Sequence, residues 1–397
     1  MDLAVRDVRW HVGKFLATIA GVGLLLAIVL TMNGIYRGNI HDGVWLIENT
    51  PADLWVVERY RGGPFNEQSR VPEVSYRMVS AVPGVEKASP FISYTVERKI
   101  GGESRQFTII GFEVFDGLGG PQALVAGRSI KHAHFELVAD LKVGLKLGER
   151  VSLGVHEYTV VGLVKGAVDS GGNPLVYLSL RDAQEVLYQQ ENQALRAERA
   201  ATLQSFERSG LQPSEAERLL TVASANEPII NAVLVKLAPH AEPQTVAGQI
   251  EEALYLSVYT KEEEGELMLK GRLRRMTQIL GLFRSLLVIV SIVIIALLLY
   301  ILTMEKIRSI ATLKILGAQN WVIARLILEQ SLVISLLSFG LGYSLVWMAL
   351  DRFPRTLVLL TSDTAITLAV IFIGGVLASL IGIWHALRTP PSLALGG

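Results

Sequence analysis

The chain has 397 residues, of which 50% are hydrophobic and 19% are charged, and its mean hydropathy is +0.39. Long apolar segments must therefore coexist with an ordinary water-soluble domain, which is typical of a membrane protein with a large soluble part. The formal net charge is zero and the basic residues form no continuous stripe, so nucleic acid is excluded as a partner. The chain has no cysteine, which excludes disulfides and thiolate metal ligands.

Four apolar runs are long enough to cross a bilayer as helices, which takes about 20 residues each. They are 15–34, 277–303, 321–350 and 364–387. The first run is longer than the roughly 7 to 15 apolar residues of a secretion signal. The passage MNGIYRG that follows it lacks a small-x-small cleavage site, so we interpret the run as a retained anchor. The sequence therefore predicts an α-helical membrane protein with four transmembrane helices.

The short connections predict the orientation, because Lys and Arg favour the cytoplasmic side of the membrane. The basic residues before the first run, between the second and third runs, and after the fourth run are Arg6, Arg9, Lys14, Lys306, Arg308, Lys314 and Arg388. The remaining short connection has only Arg352 and Arg355 and is expected outside. Arg272, Arg274 and Arg275 also precede a run on the outer side, but long translocated domains largely escape the rule. Both termini are therefore expected in the cytoplasm.

The segment 36–276, between the first and second runs, is expected to form an extracytoplasmic α+β domain. The passages YTVERKIGGESRQFTIIGF and ERVSLGVHEYTVVGLVKG predict two hairpins, and PLVYLSL and NAVLVKLAP predict further strands. Helical spacing predicts two apolar helix faces, one with Val74, Met78 and Val82 and one with Val246, Ile250, Leu254 and Val258.

One part of this domain, at about 181–220, differs in composition from the rest. It is rich in Gln, Glu, Arg and Ala, which predicts an exposed helical insertion. Two interpretations stay open. The insertion is either a solvated helical hairpin that decorates the domain or a docking surface for a partner.

The connection between the second and third runs predicts a short helix at 304–318. Ile307, Ile310, Leu313 and Leu316 recur every three residues, and Gly317 is a typical glycine after a helix end. A helix this short has little stability of its own in water. Its apolar stripe is therefore expected to rest on the membrane surface or on another protein. A purely structural interpretation, an interfacial helix that only turns the chain around, stays open.

The residues around this helix resemble a known family. The passage MEKIRSIATLKILGAQNWVIARLILEQS is similar to the signature of the FtsX/MacB-type permeases, in residues Glu305, Lys306, Ile310, Leu313, Lys314, Gly317, Ala318 and Glu329. Ser309 stands where that signature usually has an acidic residue. The ending HALRTPPSLALGG and the passage DLKVGLKLGERVSLGVHEYTVVGLVKG resemble two further parts of the family. The insertion at about 181–220 has no counterpart in the resemblance.

The resemblance implies a mechanotransmission (type VII) ABC transporter permease of the DevC/LolC-like kind, without a fused ATPase and with a MacB-like periplasmic core domain. Such a chain would pair with a second permease copy, identical or related. A separate ATPase dimer would grip the short cytoplasmic helix. The coupling interface implied by the resemblance comprises Glu305, Lys306, Ile307, Arg308, Ile310, Leu313, Lys314, Gly317 and Ala318.

The implied task is export or extraction of a substrate at the outer face of a bacterial inner membrane. Membrane lipids, a periplasmic adaptor and an outer-membrane channel are further expected partners. The alternative is a non-transporting transmembrane regulator that activates an extracytoplasmic partner such as a cell-wall hydrolase.

The sequence supplies no motif for catalysis by this chain. The phosphate loop G-x-x-x-x-G-K-[ST] does not occur, so ATP and Mg are expected on the partner ATPase and no cofactor on this chain. The passage HAHFE (132–136) has two histidines at i and i+2, which share a face only in a strand, so no metal site is expected. Among the charges in the apolar runs, Arg325 and Glu329 are interpreted as a pair at the membrane interface and Arg284 as an interface anchor; an ion pathway is the alternative.

Overall fold

The computed structural model describes residues 12–115, 118–154, 156–187, 228–305, 307–353 and 355–388. The chain divides into two compact units. We call Met1–Asn39 with Arg275–Gly397 the helical unit, and Ile40–Arg274 the sheet unit.

The helices are α1 (Val12–Glu48), α2 (Gly63–Asn66), α3 (Ser75–Ser80), α4 (180–187 in its described part), α5 (Pro243–Leu254), α6 (Lys261–Lys270), α7 (Arg274–Glu305), α8 (Ile307–Ile315), α9 (Asn320–Ala349) and α10 (Thr361–Arg388), with 3-10 turns at Leu141–Val143 and Leu350–Arg352. The strands are β1 (Leu54–Val57), β2 (Val71–Pro72), β3 (Val85–Ile100), β4 (Glu103–Phe112), β5 (Ala126–Gly127), β6 (Glu136–Asp140), β7 (Arg150–Leu153), β8 (His156–Val164), β9 (Leu175–Ser179), β10 (Ile229–Ile230), β11 (Ala232–Leu237) and β12 (Ser257–Thr260).

Helices long and apolar enough to cross a membrane confirm that the chain is a membrane protein. Within the described residues, three segments meet this criterion: Phe15–Glu48, Arg274–Leu298 and Asn320–Ala349. Their mean hydropathies are 2.5, 2.7 and 1.8. The fourth predicted run falls on α10, of which Thr361–Leu377 counts as a shorter apolar helix. The count of four transmembrane helices therefore stays a prediction.

The helical unit packs around small residues and a common apolar core. The core joins four helices through Phe15, Ile19, Val22, Leu26, Ile295, Ile334 and Ile371. Helices α1 and α9 approach closely at two glycines: a Cβ added to Gly23 would lie 2.9 Å from Cδ2 of Leu341, and one added to Gly342 would lie 2.7 Å from the carbonyl oxygen of Gly23. Between α9 and α10, the hydroxyl of Ser331 donates to the carbonyl oxygen of Gly375 at 3.0 Å.

The connection between α9 and α10 lies directly on α1. The N–H of Val358 donates to the carbonyl oxygen of Gly34 at 3.2 Å, and a Cβ added to Gly38 would overlap the carbonyl oxygen of Thr356. A few residues further on, Arg37 donates two hydrogen bonds to the carboxylate of Asp363, at 2.5 and 2.9 Å. Arg37 and Asp363 are 326 positions apart in the chain, so no local pattern could have indicated this contact.

The described part of the sheet unit contains one ten-stranded sheet with the order β12-β1-β11-β3-β4-β9-β6-β8-β5, and β7 pairs with β8. The β4–β9 and β6–β8 pairs are parallel, and the other pairs are antiparallel. Both predicted hairpins are confirmed as β3–β4 and β7–β8. In the first, Gly101 and Gly102 have φ of +60° and +89°, the left-handed values that a tight two-residue hairpin turn requires.

The predicted apolar face of α3 is wrong for Val74 and Met78, whereas Val82, just beyond the helix, is partly buried against the apolar core. Val74 and Met78 are each 50% exposed, whereas Ser75 and Val79 are buried. The helix spans only six residues, so its buried face is decided by how it docks on β3 and not by a repeat within the helix. Val79 joins the apolar cluster under this part of the sheet.

The second predicted helix face is correct up to the end of the helix, where Leu254 is partly buried against the same apolar cluster as Val246 and Ile250. Val246 and Ile250 are buried on α5, as predicted. The helix ends at Leu254, Tyr255 adopts a left-handed φ of +55°, and Val258 lies on strand β12. Of the predicted insertion, 181–187 continue α4, and the rest lies outside the described residues.

Glu264 is a buried acid in the sheet unit. It lies on α6, which begins with a capping box in which Thr260 and Glu263 each accept a hydrogen bond from the other's backbone N–H. The side chain of Glu264 is fully buried, and neither carboxylate oxygen has a hydrogen-bond partner in the described part of the chain. Burial raises the pKa of Glu264 to about 8. A Cβ added to Gly63, which has φ of +81°, would overlap this carboxyl group.

Ionisation of Glu264 is therefore expected to weaken the fold as the pH rises. Its pKa in the folded chain, about 8, is above the ordinary value of 4.5, so the folded state holds the proton more tightly. This stabilisation is complete below pH ~4.5 and lost as the pH rises through ~8, a total of roughly 3–5 kcal/mol.

Thermal unfolding of the purified full chain between pH 6 and 9 tests this expectation. The melting temperature of the native chain should fall across this range, whereas that of Glu264→Gln, which cannot ionise, should stay nearly constant. Glu266→Gln, an exposed change on the same helix, should follow the native chain. If the melting temperatures of the native chain and of Glu264→Gln changed with pH in the same way, the raised pKa assigned to Glu264 would be contradicted.

Candidate functional site

Helix α8 is anchored on the other helices of the helical unit. Ile310 is 4% exposed and Ala311 is fully buried. Ile310 packs with Ile323 and Ile327 of α9 and with Ile383 of α10. The expectation that the apolar stripe needs the membrane or another protein is therefore wrong for Ile310, because the chain itself provides the surface on which it rests.

A sharp turn follows α8 and leads into α9. Gly317 has φ of +88°, and its N–H donates to the carbonyl oxygen of Lys314 at 3.0 Å. The N–H of Leu316 donates to the carbonyl oxygen of Thr312, also at 3.0 Å. The prediction that Gly317 ends this helix is confirmed. The prediction that Leu316 belongs to the buried stripe is wrong, because Leu316 lies beyond the last helical residue and is 78% exposed.

Four apolar side chains around this turn are exposed, and we call them the turn patch. They are Ile315 (51% exposed), Leu316 (78%), Trp321 (68%) and Val322 (45%). Exposed apolar groups that lie together are typical of interaction sites, and Trp is enriched where partners bind most strongly. Sequence reasoning missed Ile315, Trp321 and Val322, and it assigned the last two to a transmembrane run. Their positions next to the Gly317 turn could have indicated that they belong to an exposed site.

The other predicted coupling residues lie along the same segment. Glu305 is the exposed last residue of α7, Lys314 lies in the last turn of α8, and Ala318 is half-buried in the turn. A lysine in the last helical turn is favourable because it faces the negative end of the helix dipole. Helix α8 also contains Ile307, Arg308 and Leu313, whose backbone is described but whose side chains are not. Lys306 lies outside the described residues. Their roles stay predictions.

Arg325 and Glu329 form an ion pair on α9. The Nε of Arg325 donates to Oε1 of Glu329 at 2.9 Å, one helical turn away. The two side chains are 63% and 31% exposed, and exposed pairs of this kind contribute only about 0–1 kcal/mol to stability. The pair therefore adds little to the fold, and its role as an interface anchor stays a prediction.

The two histidines of the HAHFE passage and His156 each contact a different carboxylate in the sheet unit. Ring nitrogens and carboxylate oxygens meet in the pairs His132–Glu136 at 2.8 Å, His134–Asp182 at 2.9 Å and His156–Glu185 at 2.8 Å. Arg128 donates two hydrogen bonds to Glu136, and its guanidinium holds the pKa of this carboxyl well below its usual range. Across the described ranges, no three His, Cys, Asp or Glu side chains are grouped as metal ligands would be. The expectation of no metal site stays a prediction.

Comparison with known proteins assigns both parts of the chain to families. Residues 15–253 match the model of the MacB-like periplasmic core domain, and residues 281–391 match that of the FtsX-like permease C-terminal domain. An ABC transporter permease of Mycobacterium tuberculosis is 24% identical over 396 residues, which is 99% of each chain. One of Mycobacterium bovis is 22% identical over 394 residues, again 99% of each chain. Among solved structures, the periplasmic region of MacB from Actinobacillus actinomycetemcomitans is similar with a TM-score of 0.36 and 12% identity, over 54% of this chain and 92% of that one.

Proposed function

This chain belongs to the FtsX/MacB-type ABC transporter permeases, and we propose that it transmits the motion of a separate ATPase to its extracytoplasmic domain. The observation that carries this proposal is the construction of the α8 segment. Ile310 and Ala311 fix α8 to the helical unit, while the turn patch remains exposed. An element that is packed on its own chain on one side and exposes apolar side chains on the other can bind a partner and transmit the partner's displacement to the helical unit.

The proposed topology places both termini, α8 and the turn patch in the cytoplasm. It has four transmembrane helices, with α10 as the fourth, in a bacterial inner membrane. The sheet unit is then periplasmic. The charge distribution supports this arrangement, because Lys314 and the other basic residues of the α7–α9 connection lie on the proposed cytoplasmic side.

The dimensions of two helices support a transmission role. Helix α1 has 37 residues and α7 has 32, which correspond to about 55 and 48 Å at 1.5 Å per residue. A bilayer core is roughly 30 Å thick, so both helices are longer than the membrane requires. In the proposed mechanism, closure of the ATPase moves α8, the contacts of Ile310 pass the motion to α9 and α10, and α1 and α7 carry it out of the membrane.

We propose that the partner ATPase alone carries out ATP hydrolysis. ATP and Mg belong to the ATPase dimer, and this chain is a non-catalytic subunit that binds no cofactor. It would act with a second permease copy, and a periplasmic adaptor and an outer-membrane channel are proposed as further partners. The proposed task is export or extraction of a substrate at the outer face of the inner membrane.

Purification of the tagged full chain from its native host in mild detergent tests the central part of this proposal. A photo-crosslinking amino acid at Leu316 should capture a cassette ATPase, to be identified by mass spectrometry. The same amino acid at Val125, which is 61% exposed on the sheet unit, is the matched control and should not capture it. Recovery of no ATPase, even after crosslinking at Leu316, would overturn the proposal.

A further inference from the structure

The helical unit contains a cavity of about 330 Å³ between α1, α7 and α10. Most of its wall is aliphatic, with side chains such as Leu26, Val288, Ile292 and Val370. A volume of about 300 Å³ or more with an apolar wall and a few polar groups is typical of sites for small ligands. The polar groups of the wall therefore decide what kind of ligand the cavity fits.

One of these polar groups has unused hydrogen-bonding capacity. Asn33 is 4% exposed, and its Oδ1 has no hydrogen-bond partner in the part of the chain that the structure describes. By contrast, the hydroxyls of Ser291 and Thr367 already donate to backbone carbonyl oxygens, at 2.7 and 2.8 Å. An unpaired buried polar atom costs about 1–3 kcal/mol, so the amide oxygen of Asn33 favours a ligand that brings a donor.

Arg284 is a second polar group of the wall. Its guanidinium carbon lies 5.7 Å from the centre of the Tyr36 ring, and its positive charge also acts on the carboxylate of Asp363. The nearby carboxylate of Asp363 is already bound by two hydrogen bonds from Arg37. The Arg37–Asp363 pair is neutral as a whole, so Arg284 leaves one positive charge in excess at this end of the cavity.

We infer that this cavity binds an anionic amphiphile, with its acidic head group at Arg284, a hydroxyl or amine of that head group donating to Asn33, and its acyl chain along Val288 and Ile292. The inference rests on the proposed function and deepens it, because it names the class of substrate that the permease would take from the outer leaflet.

The test uses the purified full chain in lipid nanodiscs and a photoreactive phosphatidylglycerol with a diazirine in its acyl chain. Labelling should map to α7 and α10 around Val288 and Ile292, and the same diazirine lipid with a phosphatidylcholine head group should label this region far less. Arg284→Gln should lower labelling by about tenfold, as expected for a lost charge-assisted hydrogen bond. Arg352→Gln, a matched change of an exposed arginine that does not line the cavity, should leave labelling unchanged.

A second variant keeps the test decisive if Arg284→Gln does not fold. Val288→Trp fills the cavity but keeps the charge, and it should also abolish labelling. Equal labelling by the two lipids, labelling unaffected by either variant, or crosslinks between two copies of the chain in place of lipid labelling would each overturn the inference. The labelling experiment needs no ATPase. A negative result would therefore overturn the lipid-binding inference alone, whereas the proposed coupling role is tested by the Leu316 crosslink.

Discussion

Leu316→Asp is expected to weaken binding of the ATPase at least about thirtyfold, which corresponds to loss of one strong interface residue, or about 2 kcal/mol. Leu316 is 78% exposed, so the change removes almost no packing within the chain. In a complex, however, the new carboxylate would have to be buried against an apolar partner, which is strongly unfavourable. Substrate-stimulated ATP hydrolysis by the reconstituted complex should fall with the loss of binding, while the melting temperature of the permease stays unchanged.

Two further aspartate variants separate coupling from folding. Val125→Asp introduces the same charge at a similarly exposed position of the sheet unit and should leave ATPase binding unchanged. Ile310→Asp buries the charge among Ile323, Ile327 and Ile383 and should lower the melting temperature as well as activity. Normal ATPase stimulation in a folded Leu316→Asp complex would contradict the role assigned to the turn patch.

Gly38→Ala is expected to destabilise the helical unit by about 2–3 kcal/mol, which is typical of overpacking at a tight contact. In an ordinary helix position the same change would stabilise by about 1 kcal/mol. Here the added Cβ would overlap the carbonyl oxygen of Thr356, a backbone atom that cannot rotate away as a side chain can. The variant must therefore separate the α9–α10 connection from α1, which also weakens the hydrogen bond between Val358 and Gly34.

Gly13→Ala provides the matched control on the same helix. A Cβ at Gly13 would meet no atom within 4 Å, so this variant should melt at the same temperature as the native chain or slightly above it. Thermal unfolding of both variants in detergent measures the difference. Equal melting temperatures for Gly38→Ala and the native chain would show that the connection does not pack on α1.

Local patterns in the sequence determined much of the architecture. The apolar runs predicted where the long helices lie, because crossing a membrane demands a length and a hydropathy that can be read from consecutive residues. The Gly101–Gly102 pair predicted the β3–β4 hairpin, and Gly317 predicted the end of α8, because left-handed backbone angles favour glycine. The family could be identified from the same short passages. Each of these features depends on residues that are close together in the sequence.

Only the tertiary structure decided which surfaces are buried and which are free. Ile310 and Leu316 have the same spacing and hydrophobicity in the sequence, yet one packs on α9 and α10 and the other is exposed. The contact of Arg37 with Asp363 and the excess positive charge that Arg284 adds beside this pair likewise depend on helices far apart in the chain. The physical reason is that periodicity defines a candidate face of a helix, whereas burial depends on the neighbour that covers it. That neighbour comes from a distant segment whose position no local pattern encodes.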